Sequence, residues 1–120
     1  MNDVLDVTAA TFDSEVLKSN LPVLVEFHSP WCASCRKMEP VIARLAAEFG
    51  GSIRFAKVNV DDEPDLASRH DIGAVPTLLL FKSAQVIHEV VGLASLGWIE
   101  AVLQKAIAAP EKRAAELALG

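Results

Sequence analysis

Cys32 and Cys35 are the only cysteines of this 120-residue chain, and two residues separate them. They stand between an apolar, β-branched run and a helical pattern, so a helix is predicted to begin beside Cys32. Backbone N–H groups without partners and the positive end of the helix dipole favour a thiolate at that position. Because the thiolate is the form that attacks disulfides, Cys32 is the predicted nucleophile. Cys35, one turn inward, is predicted to resolve the mixed disulfide.

Metal binding and simple burial are the alternatives to redox chemistry for this pair. Zinc takes four protein ligands, or three and a water molecule, so histidines would have to join the two thiols. The spacings of His28, His70 and His88 match no zinc pattern, and we therefore predict no metal site and no bound cofactor. Two chains sharing a metal or cluster through four cysteines, and two small buried residues, remain as alternatives.

Glu26 is a carboxylate inside VLVEF, a run typical of a strand that is buried on both faces. A charge there is costly unless it is paired or functional, and Lys57 in the neighbouring predicted strand is the expected partner. We predict that burial raises the pKa of Glu26 and that this carboxyl accepts a proton from Cys35. A position on a partly open edge is the alternative. Trp31, directly before Cys32, is predicted to be an exposed contact for a partner.

Short β-like runs alternate with helical patterns, in the order β-α-β-α-β-α-β-β-α. Crossover helices make the early strands parallel, and the short spacing of the last two strands indicates an antiparallel hairpin. This order predicts an α/β fold with one domain over residues 1–109 and a tail or short helical extension over residues 110–120. Strands are predicted at 4–8, 22–28, 53–60, 77–82 and 86–92, and helices at 11–19 with Thr11 as N-cap, 32–49, 63–70 and 95–107.

The composition excludes several classes of function. A net charge of −5 argues against nucleic acid as a partner, because phosphate binding needs clustered Lys and Arg. No secretory signal is visible, and the longest apolar runs are too short to span a bilayer. The cytoplasm is therefore the expected compartment, where paired cysteines are more often catalytic or metal-binding than structural.

Three segments together resemble the thioredoxin family: VLVEFHSPWCASCRKMEPVIARLA, FAKVNVDDEPDLASRHDIGAVPTLLLFKSAQV and VVGLAS. The resemblance covers residues 5–109 and implies a thioredoxin fold, a mixed five-stranded sheet flanked by four helices. It implies a thiol–disulfide oxidoreductase that acts on disulfide-containing proteins and takes electrons from a reductase similar to thioredoxin reductase. It also implies a role in electron transport and cell redox homeostasis, and a monomeric state.

The resemblance also implies roles for individual residues. Cys32 becomes the nucleophile and Cys35 the resolving thiol, while Glu26 and Lys57 become the buried acid/base and its partner. Pro76 is implied to be cis and to pack against the disulfide. The shallow groove for the substrate backbone is implied to be lined by Trp31, Val75, Pro76, Gly92 and Ala94.

Three positions depart from the family pattern. Ala33-Ser34 replaces the usual Gly-Pro between the cysteines, which restores a backbone N–H and adds a hydroxyl that can donate toward Cys32. Both favour the thiolate, so we expect a potential less negative than the ~−270 mV of thioredoxin. Glu26 stands where Asp is common, and His28 where an aromatic residue is common. His28 is predicted to be a loop-edge residue, or alternatively a titrating group near Cys32.

A binding module is the second function class that the sequence allows. Its groove would dock one partner, and its redox activity would be incidental. The intact cysteine pair, Pro76 and the expected Glu26–Lys57 pair argue against it, since binding alone requires none of them.

Overall fold

A computed structural model describes residues 4–108, in which helices pack on both faces of a five-stranded sheet. Residues 1–3 and 109–120 lie outside the described part of the chain, and so does the predicted extension over residues 110–120. Among the described residues, no helix is long and apolar enough to cross a membrane.

The sheet has the strand order β1-β3-β2-β4-β5, with parallel pairing among the first three strands and antiparallel pairing of β2 with β4 and β4 with β5. The central strands β2 and β4 are buried along all but their last residue, as their continuous apolar runs predict. The strands are β1 Val4–Asp6, β2 Val23–His28, β3 Arg54–Asn59, β4 Thr77–Lys82 and β5 Gln85–Val91.

Two core clusters hold the helices against the sheet. Met38, Leu45, Ile99 and Leu103 belong to the cluster on one face, and the four side chains have almost no exposed surface. Burying each such side chain stabilises the fold by roughly 1.5–3 kcal/mol. Within residues 4–108 the helical segments are a π-helical turn Asp13–Leu17, α1 Ala33–Phe49, α2 Pro64–Arg69 and α3 Leu96–Ala108.

The first helix differs from its prediction. It begins at Asp13 and ends at Leu17, and Thr11 is not its N-cap. The Thr11 hydroxyl instead accepts a hydrogen bond from the Thr8 N–H at 3.0 Å, which closes the turn that leads into the helix. A threonine side chain can stabilise either arrangement, so sequence alone does not decide between them.

Candidate active site

The two cysteines lie at the junction of β2 and α1. Cys32 is the N-cap of α1, and its Sγ accepts a hydrogen bond from the Cys35 N–H at 3.0 Å. The Cys32 thiol also donates to the carbonyl of Val75 at 3.6 Å. Both thiols are free; Cys32 is half-buried, whereas Cys35 is only 3% exposed. The pair therefore presents one accessible sulfur and one protected sulfur.

Ser29 fixes the loop that carries Trp31 and Cys32. It is buried, its hydroxyl donates to Asp61 Oδ2 at 3.1 Å, and the same oxygen accepts from the Trp31 N–H at 3.3 Å. Its carbonyl accepts from the Cys32 N–H at 3.2 Å. The sequence analysis missed Ser29 and Asp61. A serine directly before Pro30 is a turn signal, but nothing local points to Asp61, 32 residues away.

Ser29→Ala is expected to destabilise the protein by about 1–2 kcal/mol, because it removes a buried hydroxyl and leaves its partners unpaired. Urea unfolding followed by tryptophan fluorescence measures the change. Ser52→Ala removes an exposed hydroxyl and is the matched control, with an expected change within about 0.5 kcal/mol. Equal stability of the two variants would contradict a structural role for the Ser29 hydroxyl.

A cavity of about 260 Å³ lies directly behind the cysteines. Glu26 reaches it from β2, is only 4% exposed, and its Oε2 has no hydrogen-bond partner. Burial raises the pKa of Glu26 to about 7, the charge of Glu39 acts in the same direction, and Lys57 opposes both. The cavity is lined by Glu26, His28, Ser29, Pro30, Cys35, Arg36, Glu39 and Lys57.

Cys35 is the thiol that is hard to ionise. Burial raises its pKa to about 12. A hydrogen bond of its thiol with Cys32 and the charges of Cys32 and Glu26 raise this pKa further. A backbone hydrogen bond with Ser29 lowers it. Two of these contributions come from the free Cys32 sulfur.

Lys57 does not form the direct ion pair with Glu26 that the sequence suggests. The two residues are neighbours in the β2–β3 register and line the same cavity. Within residues 4–108, however, the ion pair of the Lys57 ammonium is with Asp6 Oδ1 of β1, at 3.8 Å. Because the Asp6 side chain is largely exposed, this ion pair lies partly in water.

His28 is the last residue of β2 and is half-buried on the cavity wall. Burial lowers its pKa, Lys57 acts in the same direction, and carboxylates, among them Glu39, oppose them. The described contacts place His28 on the side of Glu26 and Cys35. Burial thus favours the neutral imidazole at this end of the cavity.

Four of the five residues implied to form the substrate groove lie beside Cys32 or are linked to it by hydrogen bonds. The Val75–Pro76 bond is cis, and the Pro76 carbonyl accepts from the Gly92 N–H at 2.8 Å. Gly92 has φ +87°, a left-handed conformation that favours glycine. Trp31 is 83% exposed beside Cys32, and the Cys32–Val75 hydrogen bond joins this group to the thiol.

Ala94 is the implied groove residue that the described contacts do not bring to the cysteines. It is half-buried against the core cluster of α1 and α3, and it lines a small hollow with Trp98.

Within residues 4–108, no group of three or more His, Cys, Asp or Glu side chains is arranged to hold a metal ion.

Comparison with known proteins identifies the family. The family model "Thioredoxin" matches residues 3–105. The chain is similar to a thioredoxin of Porphyra purpurea, with 41% identity over 104 residues that cover 87% of this chain and 97% of that protein. Thioredoxin 1 of Nostoc sp. is 41% identical over 105 residues, covering 88% and 98%. A thioredoxin of Haemophilus influenzae is 40% identical over 92 residues, covering 77% and 86%. These matches confirm the predicted thioredoxin fold and oxidoreductase activity, and the chain belongs to the thioredoxin family of thiol–disulfide oxidoreductases.

Proposed function

We propose that this protein reduces protein disulfides by dithiol–disulfide exchange through Cys32 and Cys35. The observation that carries the proposal is the pair at the start of α1, in which the Cys35 N–H donates to the accessible Cys32 sulfur at 3.0 Å. A donor at this position stabilises a thiolate, and the protected Cys35 sulfur is one helical turn away. The binding-module alternative is not favoured by the family match.

The proposed reaction transfers two electrons from the dithiol to the substrate disulfide. The Cys32 thiolate attacks one substrate sulfur, a mixed disulfide forms, and the other substrate sulfur leaves as a thiolate. Cys35 then loses its proton and attacks the Cys32 sulfur. The bond between the two cysteines forms, the bond to the substrate breaks, and the second substrate thiolate leaves.

Glu26 is the proposed acceptor of the Cys35 proton. Its carboxyl lines the same cavity as Cys35, and a pKa of about 7 lets it accept and return a proton near neutral pH. We propose that Lys57 moderates the Glu26 charge through space, in accordance with its effect on that pKa. The proposed substrate groove comprises Trp31, Val75, Pro76 and Gly92. Ala94 is included in the proposal on the family resemblance alone, because no described contact joins it to the cysteines.

The reduction potential is proposed to be less negative than the ~−270 mV of thioredoxin. Ser34 is the second residue of α1, where backbone N–H groups have no helical partner, and a proline there would lack this N–H. The described hydrogen bonds of Cys32 include none from the Ser34 hydroxyl and none from the Ser34 N–H. The proposal therefore requires that the Ser34 N–H, which has no helical partner, donate to the Cys32 sulfur once that sulfur is charged.

Ser34→Pro is expected to make the potential more negative by about 30–60 mV. A hydrogen bond to a charged sulfur is worth ~1.5–3 kcal/mol, and ~30 mV corresponds to about 1.4 kcal/mol. Equilibration with dithiol redox buffers, followed by tryptophan fluorescence, measures it. Ser34→Ala keeps the N–H and is the control, with an expected change below about 10 mV. A wild-type potential near that of thioredoxin, or no effect of the proline, would contradict the proposal.

The proposed partners are disulfide-containing proteins and a reductase similar to thioredoxin reductase. The cytoplasm is the proposed compartment, because a dithiol donor must be kept reduced and the cytosol keeps thiols reduced. A monomer is the proposed state.

The function is tested directly by mixing the reduced protein with a disulfide-linked test protein and counting the thiols released from the test protein. Release of fewer than about two thiols per oxidised Cys32–Cys35 pair would contradict dithiol exchange.

A further inference from the structure

A second carboxylate lines the cavity that holds Glu26. Glu39 projects from α1 four residues after Cys35, so the two side chains share one face of the helix. Glu39 is exposed, whereas Glu26 is 4% exposed with its Oε2 unpaired, and both line the cavity of about 260 Å³. Glu39 thus lies at the solvent side of the cavity and Glu26 at its buried end.

The charges that face Glu26 come from two neighbouring elements and from its own strand. Those of opposite sign lie on α1 and β3, and the Lys57 ammonium is partly engaged by a carboxylate of β1 at 3.8 Å. Lys57 lowers the pKa of Glu26 without forming a direct ion pair with it. The facing groups are Cys35, Arg36 and Glu39 of α1, Lys57 of β3 and His28 of β2, and Asp6 of β1 acts on Lys57 and His28.

We propose that Glu39 is a positioning residue for thiol–disulfide exchange, whose negative charge on the cavity wall holds a proton on Glu26 and so sets the pH at which Glu26 accepts the Cys35 proton. This inference rests on the proposed function. Like charges that share a low-dielectric site disfavour simultaneous ionisation. The negative charge of Glu39 raises the pKa of Glu26, whereas the positive charge of Lys57 lowers it.

The proton balance explains how this matters for the reaction. Glu26 must be ionised to take the proton from the Cys35 thiol, and the resulting carboxylic acid must lose the proton before the next cycle. By raising the pH at which Glu26 ionises, Glu39 makes it a stronger base but leaves a smaller ionised fraction below that pH. The two effects together place the optimum of exchange near neutral pH.

Glu39→Gln and Glu39→Lys form a graded test. The ionisation of Glu26 is followed by the ¹³C chemical shift of its carboxyl, with Glu26→Gln to assign the signal, and the pH profile of exchange is measured on the same proteins. We expect the glutamine variant to lower the midpoint of both curves by about half a pH unit, and the lysine variant by about one unit. The imidazole titration of His28 should move in the same direction, since Glu39 also faces that ring.

Glu48→Gln is the matched control, because it removes one negative charge at the far end of the same helix. It should leave both midpoints unchanged. Coincident curves for wild type and Glu39→Gln, an equal shift in Glu48→Gln, or a shifted carboxyl titration with an unmoved exchange profile would each overturn the inference. Failure of the proposed function is distinct, since it would appear as exchange that survives loss of Cys32.

Discussion

Replacing Cys35 by serine is expected to leave the protein joined to its substrate by a mixed disulfide at Cys32. Cys32 keeps its place at the start of α1 and can still attack. A serine hydroxyl does not ionise near neutral pH, so nothing displaces the substrate sulfur. Turnover should fall at least about a thousandfold, because the two thiols act as a unit. A single-turnover reaction, analysed by mass spectrometry without reducing agent, measures both the adduct and the released product.

Cys32→Ser is the matched variant, and it is expected to form neither adduct nor product. The remaining thiol, Cys35, is 3% exposed, and burial together with its neighbours raises its pKa to about 12. It is therefore both shielded from a substrate and protonated. An adduct in Cys32→Ser but not in Cys35→Ser would contradict the assigned roles. Unchanged disulfide reduction in either variant would contradict dithiol exchange itself.

The architecture was predictable because its determinants are local and periodic. The apolar stripe Met38, Ile42, Leu45 and Phe49 marks the buried face of α1, and all four residues are buried. The continuous apolar runs of β2 and β4 indicate central strands for the same reason. The conformation of the turn between β4 and β5 was harder to predict from the sequence. Ser83 and Ala84 both adopt positive φ there, where glycine or asparagine is usual.

The cysteine pair was predictable for a similar reason, because two thiols one helical turn apart are defined by a stretch of four residues. The surroundings of the pair were not. The Ser29–Asp61 hydrogen bond spans 32 residues, and the engagement of Lys57 by Asp6 depends on β1 pairing with β3. Such contacts arise from tertiary placement, about which hydrophobic periodicity carries no information.

Glu26→Gln is expected to change both the stability and the activity of the protein in a pH-dependent way. Burial raises the pKa of Glu26 from 4.5 to about 7, so between these values the folded state holds more protons than the unfolded state. Stability therefore falls as pH rises through this range. At about 1.4 kcal/mol for each pH unit, the full loss above pH 7 is about 3 kcal/mol.

The glutamine variant cannot ionise, so it should escape this loss. Guanidinium unfolding at pH 8.5 is expected to find it about 3 kcal/mol more stable than wild type, whereas the two should agree within about 1 kcal/mol at pH 4.5. Exchange at pH 7 should be slower by about a hundredfold, at the lower end of what a general base contributes. Single-turnover rates with the same disulfide-linked protein measure this loss.

Glu89→Gln removes an exposed carboxylate from β5 and is the control for a general effect of charge on stability. It should leave the difference between pH 4.5 and 8.5 as it is in the wild type. A glutamine at position 26 that gains stability at pH 8.5 but keeps wild-type exchange would mean that the buried carboxyl is retained without serving as a base. Slower exchange without the gain in stability would mean that the Glu26 carboxylate is compensated in the folded protein, which would contradict the raised pKa. The paired measurements therefore separate the destabilisation caused by a buried acid from its use in proton transfer.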